Sequence, residues 1–384
     1  MRVERLELVD FRSYAAADLR LPPGVAVLVG ANAQGKTNLL EALHYAATGG
    51  SHRVTSDAPL VRAGAQAAVI RVAAHVLGRR LTVELELRPG GRGRARVNGQ
   101  PQPRVRDAIG QVRAVLFAPE DLLLIRGEPS DRRRFLDDLL TQRRPAYLAA
   151  RQDYERIVRQ RTALLRRGRD LGRDEGGLAT LATWDEALVR AAATLLAARI
   201  AVVHALSGPV SEAYRDLVAT SPEREASGRP ELAYQLSTGR LVIGSPGDGV
   251  PDPAELAVEL QDGLEQLADA ERDRGLTLVG PHRDELVLGL NDLPAKGYAS
   301  HGETWSLALA LRLASREVLA EVGEQPIVLL DDVFAELDER RRARLAARCA
   351  TFEQVIVTSA VYEDVPLDGP RWHVEAGTVE PATS

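Results

Sequence analysis

The residues Gly30-Ala-Asn-Ala-Gln-Gly-Lys-Thr37 fit the phosphate-loop pattern G-x-x-x-x-G-K-[ST] without a gap. Gly30 and Gly35 let the backbone curl until its N–H groups face one point, and a following helix adds its N-terminal partial charge there. Lys36 can then reach the β- and γ-phosphates of a nucleotide, while the Thr37 hydroxyl can sit on Mg2+. Lysine usage sharpens the reading. Among 49 lysines and arginines, only Lys36 and Lys296 are lysine. A compact ammonium fits a phosphate cradle that a flat guanidinium would crowd.

Ile327-Val-Leu-Leu-Asp-Asp332 is the natural partner of that loop. Four apolar residues bury a strand that delivers two carboxylates at its C-terminal edge, where ligands of parallel sheets sit. Asp331 is placed to hold Mg2+, directly or through water, opposite Thr37, and Asp332 to polarise the attacking water. Acids often end strands, so it is the phosphate loop that gives this pair its meaning. Ser300-His-Gly-Glu303 stands before a long helical pattern. A serine hydroxyl, a glycine amide and a helix N-terminus could make a second anion-binding corner, and a serine cap beside a glycine turn is the plainer reading.

These groups need strands and helices to hold them. Val25-Ala-Val-Leu-Val before the loop reads as a buried parallel strand, and Asn38-Leu-Leu-Glu-Ala-Leu after it as a helix. Residues 1–14 alternate as a strand, residues 67–87 read as two strands around Gly78-Arg-Arg80, and Asn98-Gly99 signals a hairpin. Val112 to Phe117 is a further strand. Beyond Glu120 the character changes. Ser130 caps a helix, helical patterns run to about Arg169, a break covers 172–177, and a second long helix spans 178–217. An irregular stretch over 220–230, a strand at 231–236, a loop over 238–253 and a helix over 253–274 follow. Strand chemistry resumes at Leu276-Thr-Leu-Val, at 327–332 and at 354–359. The simplest architecture is α/β: one nucleotide-binding domain from residues 1–119 and 275–384, interrupted by a mainly helical lobe at 120–274.

Composition bounds the rest. Hydrophobic content of 45% and charged content of 27% are those of a soluble globular chain, and 384 residues leave ample length for a core. No apolar run nears 18 residues and the N-terminus lacks signal-peptide character, so a cytoplasmic protein without a membrane partner is expected. Cys349 stands alone, which excludes an internal disulfide. His52, His282 and His301 lack metal-ligand spacing. Net charge is −5, yet residues 126–173 hold 14 arginines against 7 acidic residues. Such a gathering suits a nucleic-acid backbone, and equally a solvated helical face on which Arg156 or Arg159 pairs with Asp153 and Glu155.

Taken together, the motifs resemble the RecF family of bacterial recombination mediators, relatives of Rad50 and SMC heads. The matching pieces are Leu8-Val-Asp-Phe-Arg-Ser-Tyr14, Gly30 to Asn38, Ser51-His-Arg53, Phe117-Ala-Pro-Glu-Asp-Leu122 and Gly127-Glu-Pro-Ser-Asp-Arg-Arg-Arg-Phe-Leu-Asp137. They continue with Gly280-Pro-His-Arg-Asp284, Tyr298-Ala-Ser-His-Gly-Glu303 and Leu329-Leu-Asp-Asp-Val-Phe-Ala-Glu-Leu-Asp338, and so span most of the chain in order. The resemblance implies an ABC-type P-loop ATPase head, built from both chain ends with a helical insertion, that forms a homodimer when ATP binds. Each nucleotide would be held between one subunit's phosphate loop and the signature loop of the other, Ser300 and Gly302 here. Arg12, Asn32 and Asn38 would lie near the phosphates, and Asp338 in the loop crossing the dimer interface. The clamp would bind double-stranded, gapped or junction DNA and work with RecR and RecO to help RecA replace single-strand-binding protein.

This chain departs from the common pattern in places. Ser-His-Gly-Glu stands where Ser-x-Gly-Gln is commoner, and an acid near a γ-phosphate repels it unless Glu303 points away. Asp332 is one methylene shorter than the glutamate typical of transporters, and Thr358 stands where transporters use a histidine. Both suggest slow hydrolysis. Glu120 occupies the place of an expected glutamine. A transporter-coupled ATPase would call for a helix suited to docking a membrane domain and for a smaller insertion. A P-loop small-molecule kinase would need neither the signature loop nor the Asp338 loop.

Overall fold

The computed structural model describes residues 1–171, 175–218, 228–244 and 249–382. The chain opens with β1 (Arg2–Phe11), β2 (Tyr14–Arg20), β3 (Gly24–Val29) and α1 (Lys36–Thr48). Val3, Leu6, Leu8 and Phe11 of β1 are all buried in one core; Leu6 and Leu8 follow the alternation, while a register shift between Val3 and Arg5 and the positive φ of Asp10 (48°) bring Val3 and Phe11 to the same face. β4 (Ala68–Val76), β5 (Arg79–Leu87), β6 (Arg94–Val97) and β7 (Gln100–Pro101) follow, giving an antiparallel sheet in the order β2-β1-β4-β5-β6-β7. Two of its hairpins turn through paired positive φ angles, Leu77 with Gly78 (50° and 69°) and Asn98 with Gly99 (50° and 77°). That geometry matches the twist of the flanking strands.

After β8 (Ala114–Phe117) the chain enters helices: α2 (Leu122–Arg126), α3 (Pro129–Arg143), α4 (Ala146–Leu171) and α5 (Glu175–Val218). The cap of α3 is Glu128 and not Ser130. Pro129 presets the first helical φ, and the Asp131 carboxylate accepts from the Glu128 N–H at 2.8 Å. β9 (Pro230–Gln235), β10 (Leu241–Ile243) and α6 (Pro253–Arg274) complete the middle, so part of the expected 238–253 loop is a strand. Residues 172–174 of the expected break, most of 220–230, and 245–248 lie outside the described residues.

Among the described residues, α5 comes nearest to the composition of a membrane span. A stretch within Thr180–Val218 is long and apolar enough to cross a membrane by length and composition, and most of that stretch is buried. Arg199 interrupts the apolar run. Its guanidinium is buried too, donating to Asp137 at 3.0 and 3.1 Å, to the Tyr234 hydroxyl and to the Pro281 carbonyl. α5 is a core helix, packed on α4, α6 and β9.

The third section brings β11 (Glu285–Leu290), β12 (Leu293–Pro294), the single turn α7 (Ala295–Tyr298) and α8 (His301–Ala320). It ends with β13 (Ile327–Asp331), α9 (Glu339–Cys349), β14 (Gln354–Ser359), β15 (Arg371–Glu375) and β16 (Thr378–Pro381). Residues 276–279 are not the expected strand. The Thr277 carbonyl accepts from Arg283 Nε at 3.2 Å and lies 3.1 Å from His282 Nε2, and the Leu278 N–H goes to the Glu271 carboxylate at 2.6 Å, so these backbone groups serve side chains and not a ladder. The strand comes later, as β11, in a sheet ordered β10-β9-β11-β12 that joins the middle of the chain to its last third.

The sheet that positions the phosphate loop is ordered β16-β15-β3-β14-β13-β8, all parallel except β16. β15 and β16 have no counterpart in the sequence reading. Alternate residues divide two apolar cores. Ile327, Leu329 and Ile356 face α1 and the antiparallel sheet, whereas Val328, Leu330, Val355 and Val357 face the core that contains α5 and α8.

Candidate nucleotide site

The loop between β3 and α1 is wedged on both sides. A Cβ on Gly30 would overlap the Val374 carbonyl of β15, and Gly35 sits at φ 113° with its notional Cβ 2.8 Å from the Tyr14 hydroxyl. That hydroxyl donates to the Gly35 carbonyl at 3.1 Å. Lys36 is 3% exposed and its ammonium donates to the Gly30 and Ala31 carbonyls at 2.8 and 3.1 Å, lying across the loop. Asn32 is exposed at the loop tip. The Asn38 amide donates to Ser13 Oγ at 3.0 Å and accepts from Arg53 at 3.2 Å. The turn between β1 and β2 thus buttresses the cradle.

At the same edge of the sheet, Asp331, Thr358 and Leu28 lie side by side on β13, β14 and β3. Thr37 Oγ1 donates to Asp331 Oδ1 at 3.1 Å, and Thr358 Oγ1 donates to the same oxygen at 2.6 Å. Thr358 Oγ1 also accepts the Asp332 N–H at 3.0 Å. Burial pushes the Asp331 carboxyl up to about 6; the two hydroxyls oppose that push, and the nearby Asp332 and Glu120 charges add to it. Asp332 itself takes a left-handed conformation (φ 51°), which turns the chain out of the strand directly after Asp331.

The donors suit a hard divalent cation. One hydroxyl and one carboxylate meet, with a second carboxylate next in sequence and a third, Glu120, near enough to be felt. Among the described residues no group of three His, Cys, Asp or Glu forms a protein cage for a metal. Magnesium does not require one, since it binds through one or two protein oxygens and completes its shell with phosphate and water.

Arg12 lies at the same end of the molecule, but its guanidinium turns to Glu41 on α1, at 2.8 and 2.7 Å, and to the Pro59 carbonyl at 3.0 Å. Glu41 is fully buried and also accepts from Ser51 Oγ. This pairing fixes α1 against the 51–59 segment.

Ser300 and Glu303 form a reciprocal capping box on α8. The serine hydroxyl accepts the Glu303 N–H at 3.3 Å, and the Glu303 carboxylate accepts the Ser300 N–H at 2.8 Å. These hydrogen bonds to Ser300 hold the carboxyl below its ordinary range, helped by the charge of Arg341. Asp338 caps α9, accepting the Arg341 N–H at 2.9 Å, and pairs with the Arg341 guanidinium. Arg341 in turn donates to Ser306 Oγ at 2.9 Å and lies against Gly302. Gly302 and Asp338 are therefore linked through Arg341. Among the described residues no hydrogen bond or ion pair joins this group to the phosphate loop.

The basic segment divides in two. Arg132 is buried and bidentate to Glu285 at 2.6 and 3.1 Å, Arg161 is 2% exposed between Asp185 and Glu271, and Arg133 donates to the Asp284 carbonyl. Arg156 pairs with Asp153, as expected. Arg126, Arg144, Arg159, Arg166 and Arg167 are exposed. Trp305 and Trp372 are buried packing residues.

Sequence reasoning missed the Thr358 hydroxyl as a donor to Asp331, Glu41 as the partner of Arg12, and Arg341. The capping box was legible, since Ser300 and Glu303 satisfy S-x-x-E ahead of an apolar helix.

A phosphate loop on a parallel sheet, facing a carboxylate strand, with a capped signature helix drawn from the other chain end, defines an ABC-type ATPase head. The family model for the RecF/RecN/SMC N terminal domain matches residues 2–365. The chain is 52% identical, over 99% of its length and 100% of the relative, to a DNA replication and repair protein RecF of Streptomyces avermitilis. It is 50% identical, over 98% of each chain, to the protein of the same description in Kineococcus radiotolerans. A solved structure of the recombination mediator protein RecF-ATP in the RecFOR pathway superposes with TM-score 0.88 at 26% identity, covering 99% of this chain and 97% of that one. An SmcHead bound to the C-winged helix domain of ScpA shares the fold, with TM-score 0.52 at 17% identity, covering 100% of this chain and 98% of that one. The chain belongs to the RecF family of DNA replication and repair proteins.

Proposed function

We propose that this protein is an ATP-gated DNA clamp with slow ATPase activity, acting in recombinational repair and replication restart. The observation that carries the reading is the meeting of Thr37 and Asp331 at 3.1 Å beneath a lysine-closed phosphate loop. Residues 1–119 and 275–384 form the ATP-binding domain and 120–274 the inserted lobe, with β11 lent to the lobe's sheet. Lys36 leaves the Gly30 and Ala31 carbonyls for the β- and γ-phosphates, while Gly30, Gly35, Asn32 and Asn38 shape the cradle and Arg12 braces it through Glu41. Thr37 and Asp331 hold Mg2+, which neutralises phosphate charge. Asp332 orients and polarises the attacking water.

Two copies close on ATP, each bringing Ser300, Gly302 and the Asp338 loop to the nucleotide of the other. The capping box answers the problem posed by Glu303: its carboxylate is turned back onto the Ser300 N–H. The exposed arginines of the inserted lobe contact phosphates of double-stranded, gapped or junction DNA, and RecR and RecO are its partners in helping RecA load in the cytoplasm. The description of a similar solved protein as part of a RecFOR pathway supports that assignment.

The test is hydrolysis measured against DNA and protein concentration, with light scattering on the Asp332→Asn variant to hold the closed state. Hydrolysis that rises with DNA and steeply with protein concentration, and dimers that form only with ATP, are expected. First-order hydrolysis by monomers, indifferent to DNA, would reject the clamp.

A further inference from the structure

The signature corner carries an acid where an anion must dock, and the structure supplies a cation for it. Arg341, on the first turn of α9, lays its guanidinium against Gly302, so that a Cβ there would come within 3.0 Å of Nη2 and 3.3 Å of Nη1. Its orientation is fixed. Nε donates to Ser306 Oγ at 2.9 Å, and that hydroxyl donates to the Gly302 carbonyl at 2.9 Å. Nη1 is taken by Asp338, whose side chain is about half exposed. Nη2 has no partner among the described residues. The Tyr214 hydroxyl, on a side chain 1% exposed, is also unpartnered among them and lies within the electrostatic reach of both Glu303 and Arg341. The Arg341 guanidinium beside Gly302 is thus left with an unused donor.

We infer that Arg341 is the anion-recognising cation of the signature corner: it offsets Glu303 and offers Nη2 to the terminal phosphate of the nucleotide bound by a second copy of the chain. This rests on the two-subunit reading above. Asp338 holds the guanidinium until the phosphate arrives, and then competes with it for the same fork of donors. A nucleoside triphosphate, which places its last phosphate at the seam, draws on Arg341, and a diphosphate does not. The residue accordingly sets the preference for triphosphate in closure, while the phosphate loop sets affinity within one subunit.

The experiment uses the full chain in the Asp332→Asn background, with self-association followed by sedimentation under Mg-ATP or Mg-ADP. Arg341→Gln should weaken ATP-driven association at least about tenfold, with Arg341→Lys between it and the parent, since a point charge replaces only part of the fork. Binding of a fluorescent ATP analogue to dilute monomer should stay within about twofold. Adding Glu303→Gln to Arg341→Gln should recover part of the lost association, because the repulsion that Arg341 offsets is then gone while its Nη2 contact to the phosphate is still missing. Equal association of Arg341→Gln and its parent overturns the inference. So does loss without recovery in the double variant alongside a lowered melting temperature, which would make Arg341 a strut between α8 and α9. If the parent itself fails to associate under ATP, the two-subunit reading falls, and this inference with it.

Discussion

The Thr358 hydroxyl donates to the Asp331 carboxylate at 2.6 Å, from the strand that lies between the phosphate-loop strand and the carboxylate strand. A neutral hydroxyl stands there, so Asp331 is oriented without being neutralised. The same oxygen atom accepts the Asp332 N–H and helps fix the left-handed turn.

Asp331 should therefore trade stability for function. Its folded pKa, about 6, is raised above the ordinary 3.8, so between those values the folded state binds more protons than the unfolded one. This contribution makes stability fall as pH rises through that window. Asp331→Asn should raise the melting temperature at pH 7–8, by roughly 1 °C for each kcal/mol of buried charge relieved in a chain of this length, while abolishing hydrolysis. A melting temperature that drops would show that the charge is already well paired.

Thr358→Val should move the acidic limb of the hydrolysis profile to higher pH. The variant removes a donor that opposes the burial of Asp331, so the carboxyl protonates more readily. The measurement is the rate under saturating ATP from pH 5 to 8. An unmoved limb would mean that Asp331 does not control it.

Lys36→Arg should abolish ATP-dependent dimerisation although charge is kept. The ammonium fits between two carbonyls on a side chain 3% exposed, and a guanidinium has no such space. Losing the contact should lower turnover about 10²–10³-fold. Turnover like that of the natural chain in this variant would remove the argument from lysine scarcity.

The arginines need separating by burial. Arg132→Ala should cost roughly 3 kcal/mol, measured by denaturant unfolding, because it strips the partner from Glu285. Replacing the exposed Arg159, Arg166 and Arg167 together should leave stability unchanged. It should also make the slope of log K against log[salt] for DNA shallower by up to about 3. An unaltered slope would place DNA elsewhere.

What was legible followed from local rules with one answer. Residues 30–37, the Ile327 to Asp332 run and the Asn98-Gly99 turn each identify themselves by spacing, and their strands formed where expected. What was missed depended on contacts distant in sequence. The Arg12–Glu41 pair bridges two elements, and Val374 closing on Gly30 brings together residues from opposite chain ends. The expected strand over 276–279 failed because side chains claimed its backbone groups, which no periodicity reveals.

The composite site makes the most demanding prediction. If Lys36 of one subunit works with Ser300 of the other, each single-mutant homodimer, Lys36→Ala or Ser300→Arg, has two broken sites. In a mixed dimer both lesions fall on one site, and the other combines an intact phosphate loop with an intact signature corner. Mixing the two inactive proteins equally should restore activity to roughly a quarter of that of the natural chain, given random exchange and independent sites. Within one subunit the Ser300 group and the phosphate loop share no hydrogen bond or ion pair among the described residues, so a partner is what would bring them together. Strong coupling between sites would lower the recovered rate but leave ATP-dependent dimers in place. Should the mixture stay inactive and monomeric under ATP, with both variants folded, the two-subunit site is wrong and Ser300 serves only as the cap of α8.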